Sequence, residues 1–414
     1  MEVLKLATAG SVDDGKSTLI GRLLYDTQSL TDDKLEAIEK SSKKLGYDYL
    51  DFSLATDGLV AEREQGITID VAHIYFSTPT KSYIIADSPG HVEYTRNMIT
   101  GASNAAVSMI LVDARKGVIE QTFRHFFINA LLKVKHIVIA VNKMDLVDYD
   151  ESVFNSIKND IEKLRANSGY KDQEVTFIPI SALTGDNVAS ASEKMGWYKG
   201  SSILEYLENV TPEAASDTPM RFPVQSVIRP KTNDFHDFRG YAGKVYGSSI
   251  AIGDVVTILP SLKTSKVQDI FSYKDSYSEA QAGNSITLTL EDDVNVTRGD
   301  IIVKSNEIPE QTKELKATVC WMDNTELTAG KKYELQHMTQ RILAKVSQIQ
   351  EIIPTDFSTP EAGVSEVTIN EIATVHFKLA KSLFYDRYTD HKQGGSFIII
   401  DPITNTTAGV GFIK

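Results

Sequence analysis

The sequence predicts an α/β domain built on a mostly parallel sheet with flanking helices, followed by two all-β barrel domains. Three observations carry this reading. In the first half, short apolar runs alternate with longer helix-patterned segments, which is how parallel strands joined by crossover helices read. The pattern stops after Tyr206, where Val210-Thr-Pro-Glu-Ala-Ala-Ser-Asp-Thr-Pro219 is polar, proline-bearing and without periodicity, as a linker is. From Arg221 onward the chain consists of short β-branched runs punctuated by Gly, Asn, Asp or Pro, the signature of barrels or sandwiches. A second break at Ser305-Asn-Glu-Ile-Pro-Glu310 divides this half, so the expected domains are residues 1–212, 220–306 and 311–414.

Taken in order, the apolar runs Val3 to Ala7, Ile69 to Ser77, Tyr83 to Ala86, Ser108 to Val112, His136 to Val141 and Thr176 to Ile180 are the predicted strands of the first domain. Between the first two, Leu19, Ile20, Leu23 and Leu24 recur at helical spacing and predict a helix over Ser17 to Asp26. In the second half, Asp254 to Pro260 and Ser285 to Leu290 are the clearest strands. Gly240, Gly243 and Gly247 suit tight barrel turns and close backbone approach.

Charge and cysteine content narrow the function. The 414 residues hold 43 Lys+Arg and 56 Asp+Glu, a net charge of −13, which argues against a nucleic-acid binder held by phosphate contacts. One cysteine, Cys320, excludes an intrachain disulfide and a thiolate metal cluster, fits a reducing compartment, and reads as a small buried apolar residue. The start Met-Glu-Val-Leu-Lys-Leu has no basic leader, and no apolar run approaches the roughly 18 residues of a membrane span. A cytoplasmic protein without membrane association is expected.

The chemistry lies at the ends of the predicted strands. Gly10-Ser11-Val12-Asp13-Asp14-Gly15-Lys16-Ser17-Thr18 contains the pattern G-x-x-x-x-G-K-[ST] between the first strand and a helix. Its glycines let backbone N–H groups face phosphates, Lys16 reaches the β/γ-phosphates, and the Ser17 hydroxyl ligates Mg²⁺. Asp87-Ser88-Pro89-Gly90 follows a strand at the edge where a parallel sheet presents ligands. There Asp87 can hold the Mg²⁺ shell and the Gly90 N–H can meet a γ-phosphate. Asn142-Lys143-Met144-Asp145 ends another strand, and the Asp145 carboxylate can accept hydrogen bonds from guanine N1–H and N2–H₂, a donor pair adenine lacks. Ser181-Ala182-Leu183 ends the next and can offer a backbone N–H to guanine O6. Together these predict a GTP/GDP site. Within Glu62-Arg-Glu-Gln-Gly-Ile-Thr68, Thr68 is the second candidate Mg²⁺ ligand, released when the γ-phosphate leaves. His91, directly after Gly90, is the candidate catalytic residue that orients the attacking water.

These motifs, followed by two barrels, resemble P-loop GTPases of the translation-factor class, such as elongation factors Tu and 1A. A closer resemblance is to the GTPase subunits of bacterial sulfate adenylyltransferases. It rests on Ser11 to Thr18 with Asp14 where elongation factors usually show His or Ser, on Asp57 to Val71, on Gly185-Asp-Asn-Val-Ala-Ser190 with Trp197-Tyr198, and on Arg221 to Gln225, Asp237 to Gly243 and Asp386 to Tyr388. Ser88 departs from it, where Thr is commoner, and the loop Thr232 to Asp237 is slightly long. The resemblance implies GTP hydrolysis that drives formation of adenylyl sulfate and pyrophosphate from ATP and sulfate. It implies as partner a small catalytic, ATP-binding subunit. Some relatives carry a fused adenylylsulfate kinase, and with no second phosphate loop in this sequence that activity is not expected here. The rival expectation, an elongation factor carrying aminoacyl-tRNA, calls for a basic stripe across the barrels, whereas residues 220–414 hold 21 Lys+Arg against 24 Asp+Glu.

Overall fold

A computed structural model describes residues 2–44, 46, 49–55, 72–88, 95–168, 173–211, 218–230, 238–273 and 275–414. The chain forms two compact units, Met1–Glu213 with Thr355–Ser358, and Ala214–Pro354 with Thr359–Lys414.

The first unit is built on a six-stranded sheet in the order β2-β3-β1-β4-β5-β6. The strands are β1 (Glu2–Ala9), β2 (Ala72–Ser77), β3 (Lys81–Asp87), β4 (Val107–Asp113), β5 (His136–Asn142) and β6 (Glu174–Pro179). All neighbours run parallel except the edge pair β2 and β3, which is antiparallel. Every residue of β4 and β5 is buried. A parallel strand covered on both faces by crossover helices has no wet side to alternate towards, so it reads as a continuous apolar run.

Among the described residues the α-helices are α1 (Lys16–Asp26), α2 (Asp32–Lys44), α3 (Thr95–Ala102), α4 (Glu120–Leu131), α5 (Glu151–Ser168) and α6 (Ile203–Asn209). On α1 the predicted stripe of Leu19, Ile20, Leu23 and Leu24 is buried in one cluster with Leu4, Leu6, Tyr83, Ile85 and Leu111. Each such side chain contributes about 1.5–3 kcal/mol by leaving water. A capping box starts α6, with the Glu205 N–H donating to Ser202 Oγ at 3.3 Å and the Ser202 N–H to Glu205 Oε2 at 3.4 Å. Its C-terminal carbonyls are held by buried Lys81, whose Nζ donates to the Val210 carbonyl at 2.6 Å.

The second unit contains two closed antiparallel barrels. In the first, Val255–Leu259, Ile301–Lys304, Arg221–Ile228, Gly240–Lys244, Ser285–Leu290 and Lys263–Ser272 pair in that order, and the last pairs back on the first. In the second, Lys332–His337, Ser396–Ile400, Thr407–Ile413, Glu310–Trp321, Ile372–Tyr385 and Gln340–Ile352 close in the same way. Each has its own apolar core, the first around Phe222, Val224 and Ile258, the second around Trp321, Val346 and Phe377. Cys320 is buried in the strand Glu310–Trp321. An ion pair links the barrels: buried Arg221 grips Asp386 through Nε at 2.9 Å and Nη2 at 2.7 Å, and its Nη1 donates to the carbonyls of Met220 and Glu307. Two buried histidines lie beside it. His337 Nε2 meets the Gly394 carbonyl at 2.8 Å, and His391 Nδ1 accepts the Gly394 N–H at 2.9 Å.

Candidate guanine-nucleotide site

β1, β3, β4, β5 and β6 end at Ala9, Asp87, Asp113, Asn142 and Pro179, all on the carboxyl edge of the parallel sheet. The phosphate loop leaves β1 at this edge and turns into α1 at Gly15. Gly10 (φ 153°) and Gly15 (φ 92°) adopt left-handed backbone that disfavours a side chain. A Cβ would also stand 3.1 Å from Leu111 Cβ at Gly10 and would collide with the Asn142 amide at Gly15.

Lys16 is buried, and its Nζ donates across the loop to the carbonyls of Gly10 at 2.7 Å and Ser11 at 3.0 Å. Burial pushes its ammonium below the usual lysine range, against the attraction of Asp87, Asp14 and Asp13. Asp14 is buried too, and one carboxylate oxygen accepts the Ser11 N–H at 2.7 Å. Burial raises its pKa, opposed by that hydrogen bond and by Lys16. Thus the residue that departs from elongation factors shapes the loop from inside.

Asp87 is buried at the end of β3 and accepts a hydrogen bond at 2.7 Å from Thr8 Oγ1, its register partner on β1. Ser17, opening α1, is half-buried, and Ser88 is buried. The oxygen donors of Ser17 and Asp87 suit a hard divalent cation such as Mg²⁺. Pro89, Gly90, His91 and Thr68 lie outside the described residues.

The motifs Asn142 to Asp145 and Ser181 to Leu183 are tied to the loop between β1 and α1. Buried Asn142 donates through Nδ2 to the Asp14 carbonyl at 2.8 Å and accepts the Ala182 N–H on Oδ1 at 3.0 Å. One carboxamide therefore connects three of the sequence motifs. Lys143 Nζ donates to the Asp13 carbonyl. Met144 is fully buried and opens a short 3₁₀ turn, Met144–Val147, that holds Asp145 half-exposed. Ser181 and Ala182 are buried, whereas Leu183 is exposed.

Several supporting residues were given no role by the sequence motifs, although Asp186 lies in the passage Gly185 to Ser190. Thr8 orients Asp87 from within an apolar strand. Asp186, four residues past Ala182, accepts hydrogen bonds from Tyr149 Oη (2.9 Å), Ser192 Oγ (2.6 Å), Thr184 Oγ1 (2.5 Å) and Lys194 Nζ (3.1 Å). Burial raises its pKa, but these donors outweigh that and hold the carboxyl below the usual range. Asp113 ends β4 beside Asn142 and carries Arg115 and Lys143 on its carboxylate. The signal that could have found it is the one that singled out Asp87, an acid at the carboxyl end of a parallel strand.

Residues 1–213 match the model of the elongation factor Tu GTP binding domain, and residues 314–414 match that of the GTP-eEF1A C-terminal domain. Across its whole length the chain is 48% identical to sulfate adenylyltransferase subunit 1 of Bacteroides fragilis, covering 86% of that protein. The chain belongs to the sulfate adenylyltransferase subunit 1 family. It is also 45% identical over its whole length to the member from Francisella tularensis subsp. novicida, covering 87% of it. To the bifunctional enzyme CysN/CysC of Mycobacterium tuberculosis it is 45% identical over 99% of its length, covering 67% of that protein. No helix among the described residues is long and apolar enough to cross a membrane.

Proposed function

We propose that this chain is the GTPase subunit of a sulfate adenylyltransferase. It binds GTP with Mg²⁺ and hydrolyses it to drive formation of adenylyl sulfate and pyrophosphate from ATP and sulfate on a small catalytic, ATP-binding partner subunit in the cytoplasm. The observation that carries this is the whole-length identity to subunit 1 proteins, supported by nucleotide motifs gathered at one sheet edge. The G domain is assigned to residues 1–212 and the barrels to 220–306 and 311–414.

In this reading Gly10 to Thr18 supply N–H groups and Lys16 to the phosphates, and Ser17, Thr68 and Asp87 hold the cation. Mg²⁺ supplies charge neutralisation on the β- and γ-phosphates when bound. Asp145 accepts from guanine N1–H and N2–H₂. The Leu183 N–H is the better donor to O6, because Asn142 already holds that of Ala182. Gly90 senses the γ-phosphate, and His91 orients water for attack on it. His91→Ala should lower hydrolysis tenfold or more, about 1.4 kcal/mol of transition-state stabilisation, with GTP binding kept. Hydrolysis within twofold of wild type, with the partner present, would reject that role.

Adenylyl sulfate contains a phosphate–sulfate anhydride less stable than the ATP bond that is broken, so a second hydrolysis is a physical means of pulling the reaction forward. By linkage, if GTP favours the active partner, the partner's substrates must favour the GTP state of this chain. The test combines the chain with its small subunit, ATP, sulfate and pyrophosphatase, and follows adenylyl sulfate with GTP, GDP or a non-hydrolysable analogue. More product is expected with GTP. Equal yield in all three, with the complex assembled, would overturn the coupling.

A further inference from the structure

Asp113 belongs to none of the nucleotide motifs, yet it is 1% exposed and lies at the heart of the site's edge. Its Oδ1 accepts both the Nε and the backbone N–H of Arg115 at 3.0 Å. Its Oδ2 faces Arg115 Nη2 at 2.7 Å and Lys143 Nζ at 3.0 Å. A buried carboxylate is sustained only by such charge-assisted partners.

The second of these partners gives Asp113 a reach beyond its own strand. Lys143 sits in the loop that carries Asp145, with φ 64°, a left-handed conformation uncommon for a residue with a side chain. Its ammonium donates at once to Asp113 and to the Asp13 carbonyl of the phosphate loop. A lysine stem has four rotatable bonds, and a single carbonyl would leave it free to swing away. The carboxylate supplies the second anchor. Arg115 keeps the carboxylate aimed, since its guanidinium and backbone N–H hold the oxygens from the other side.

We propose that Asp113 is a positioning residue for guanine nucleotide: acting through Lys143, it fastens the base-reading loop to the phosphate loop and thereby sets how slowly bound nucleotide leaves. The proposal rests on the guanine-nucleotide reading of the site. Release requires the two loops to part, and parting them costs Lys143 both of its contacts, so Asp113 acts on the dissociation rate.

The experiment uses the full chain and follows release of a fluorescent mant-GDP chased with GDP. Binding by the wild type is measured first; its absence would remove the guanine reading and the proposal with it. Asp113→Asn keeps the shape and removes the charge, and is expected to speed release roughly tenfold, the loss of one charge-assisted anchor. Lys143→Met, which leaves the Asp113–Arg115 pair intact, should speed it similarly. The double variant should release no more than about twofold faster than Lys143→Met alone, because one device cannot be lost twice. Preference for GDP over ADP should be kept in Asp113→Asn, since Asp145 is untouched. Unchanged release in either single variant, multiplying effects in the double variant, or loss of discrimination against ADP would overturn the proposal. Should Asp113→Asn fail to fold, Lys143→Met alone decides, with unchanged release again overturning it.

Discussion

Asp113 in the first unit and Asp386 in the second are both carboxylates gripped by the Nε and Nη2 of an arginine, but the two pairs are built for different ends. Arg115 is two residues from Asp113 and its side chain is 46% exposed. Arg221 is 165 residues from Asp386 and only 2% exposed. The first pair is local, half-wet, and shares its carboxylate with a lysine of the nucleotide loops. The second is remote in sequence and dry, and joins two barrels whose own cores are apolar. The same chemistry is thus half-wet and shared in one place, and dry and unshared with a lysine in the other.

Removing each arginine tests the contrast. Arg221→Met strands the Asp386 charge and the Glu307 and Met220 carbonyls, and should cost about 3–5 kcal/mol in the second unit. The double change Arg221→Met with Asp386→Leu should recover most of that loss, because a buried pair is often replaceable by apolar groups of similar volume. Urea unfolding checks both. In a Trp197→Phe background Trp321, buried in the second barrel, is the remaining tryptophan and reports that unit alone. A cost below 1 kcal/mol for Arg221→Met would erase the distinction.

A smaller effect is expected from acid. Burial pushes His337 and His391 below their ordinary 6.5, with Asp386 opposing for both, the Gly394 carbonyl also opposing for His337, and Arg221 adding to the depression of His391. The unfolded chain therefore binds protons that the folded barrels refuse, so stability falls as pH drops below about 6.5. The slope should not exceed about 1.4 kcal/mol per pH unit for each histidine. Urea midpoints read by Trp321 at pH 7.5 and 5.5 should show the drop, and His391→Asn should reduce it. An unchanged midpoint would mean that the histidines titrate freely. The smallest effect is reserved for Arg115→Ala: the guanidinium is half-exposed and Lys143 stays on the buried Asp113 carboxylate, so the cost in thermal or urea unfolding of the first unit should be about 1–2 kcal/mol, below that of a buried charge left with no partner. A loss as large as that for Arg221→Met would place the two pairs in one class.

The same contrast marks what could be read from the sequence. The gathering of Lys16, Asp87, Asn142 and Ser181 at one sheet edge was legible because each stands at or just after an apolar run that forms a strand, the edge where parallel sheets present ligands. The predicted strands Tyr83 to Ala86 and Ser108 to Val112 fall inside β3 and β4, and Ser285 to Leu290 matches its barrel strand end to end. Asp113 escaped because Asp-Ala-Arg-Lys-Gly has no motif, its partner Lys143 being thirty positions away. Thr8 escaped because a hydroxyl inside an apolar run is ordinary, and only the register of β1 against β3 brings it to Asp87. Arg221 and Asp386 stood out only through family resemblance, since no local pattern joins residues so far apart. The antiparallel direction of β2 was equally hidden, because an alternating or apolar run does not state which way its neighbour runs.

Closure of the second barrel also has a meaning in time. Trp321 ends a strand whose partner across the seam, Gly409, is made roughly ninety residues later. At the usual pace of synthesis, about 5–20 residues per second, that strand waits several seconds or more with one side unpaired. The parallel sheet of the first unit has all its strands once Pro179 has been made. The nascent chain can therefore hold all six strands of the first unit's sheet while its last barrel is still an open ribbon with the edge of Glu310–Trp321 exposed.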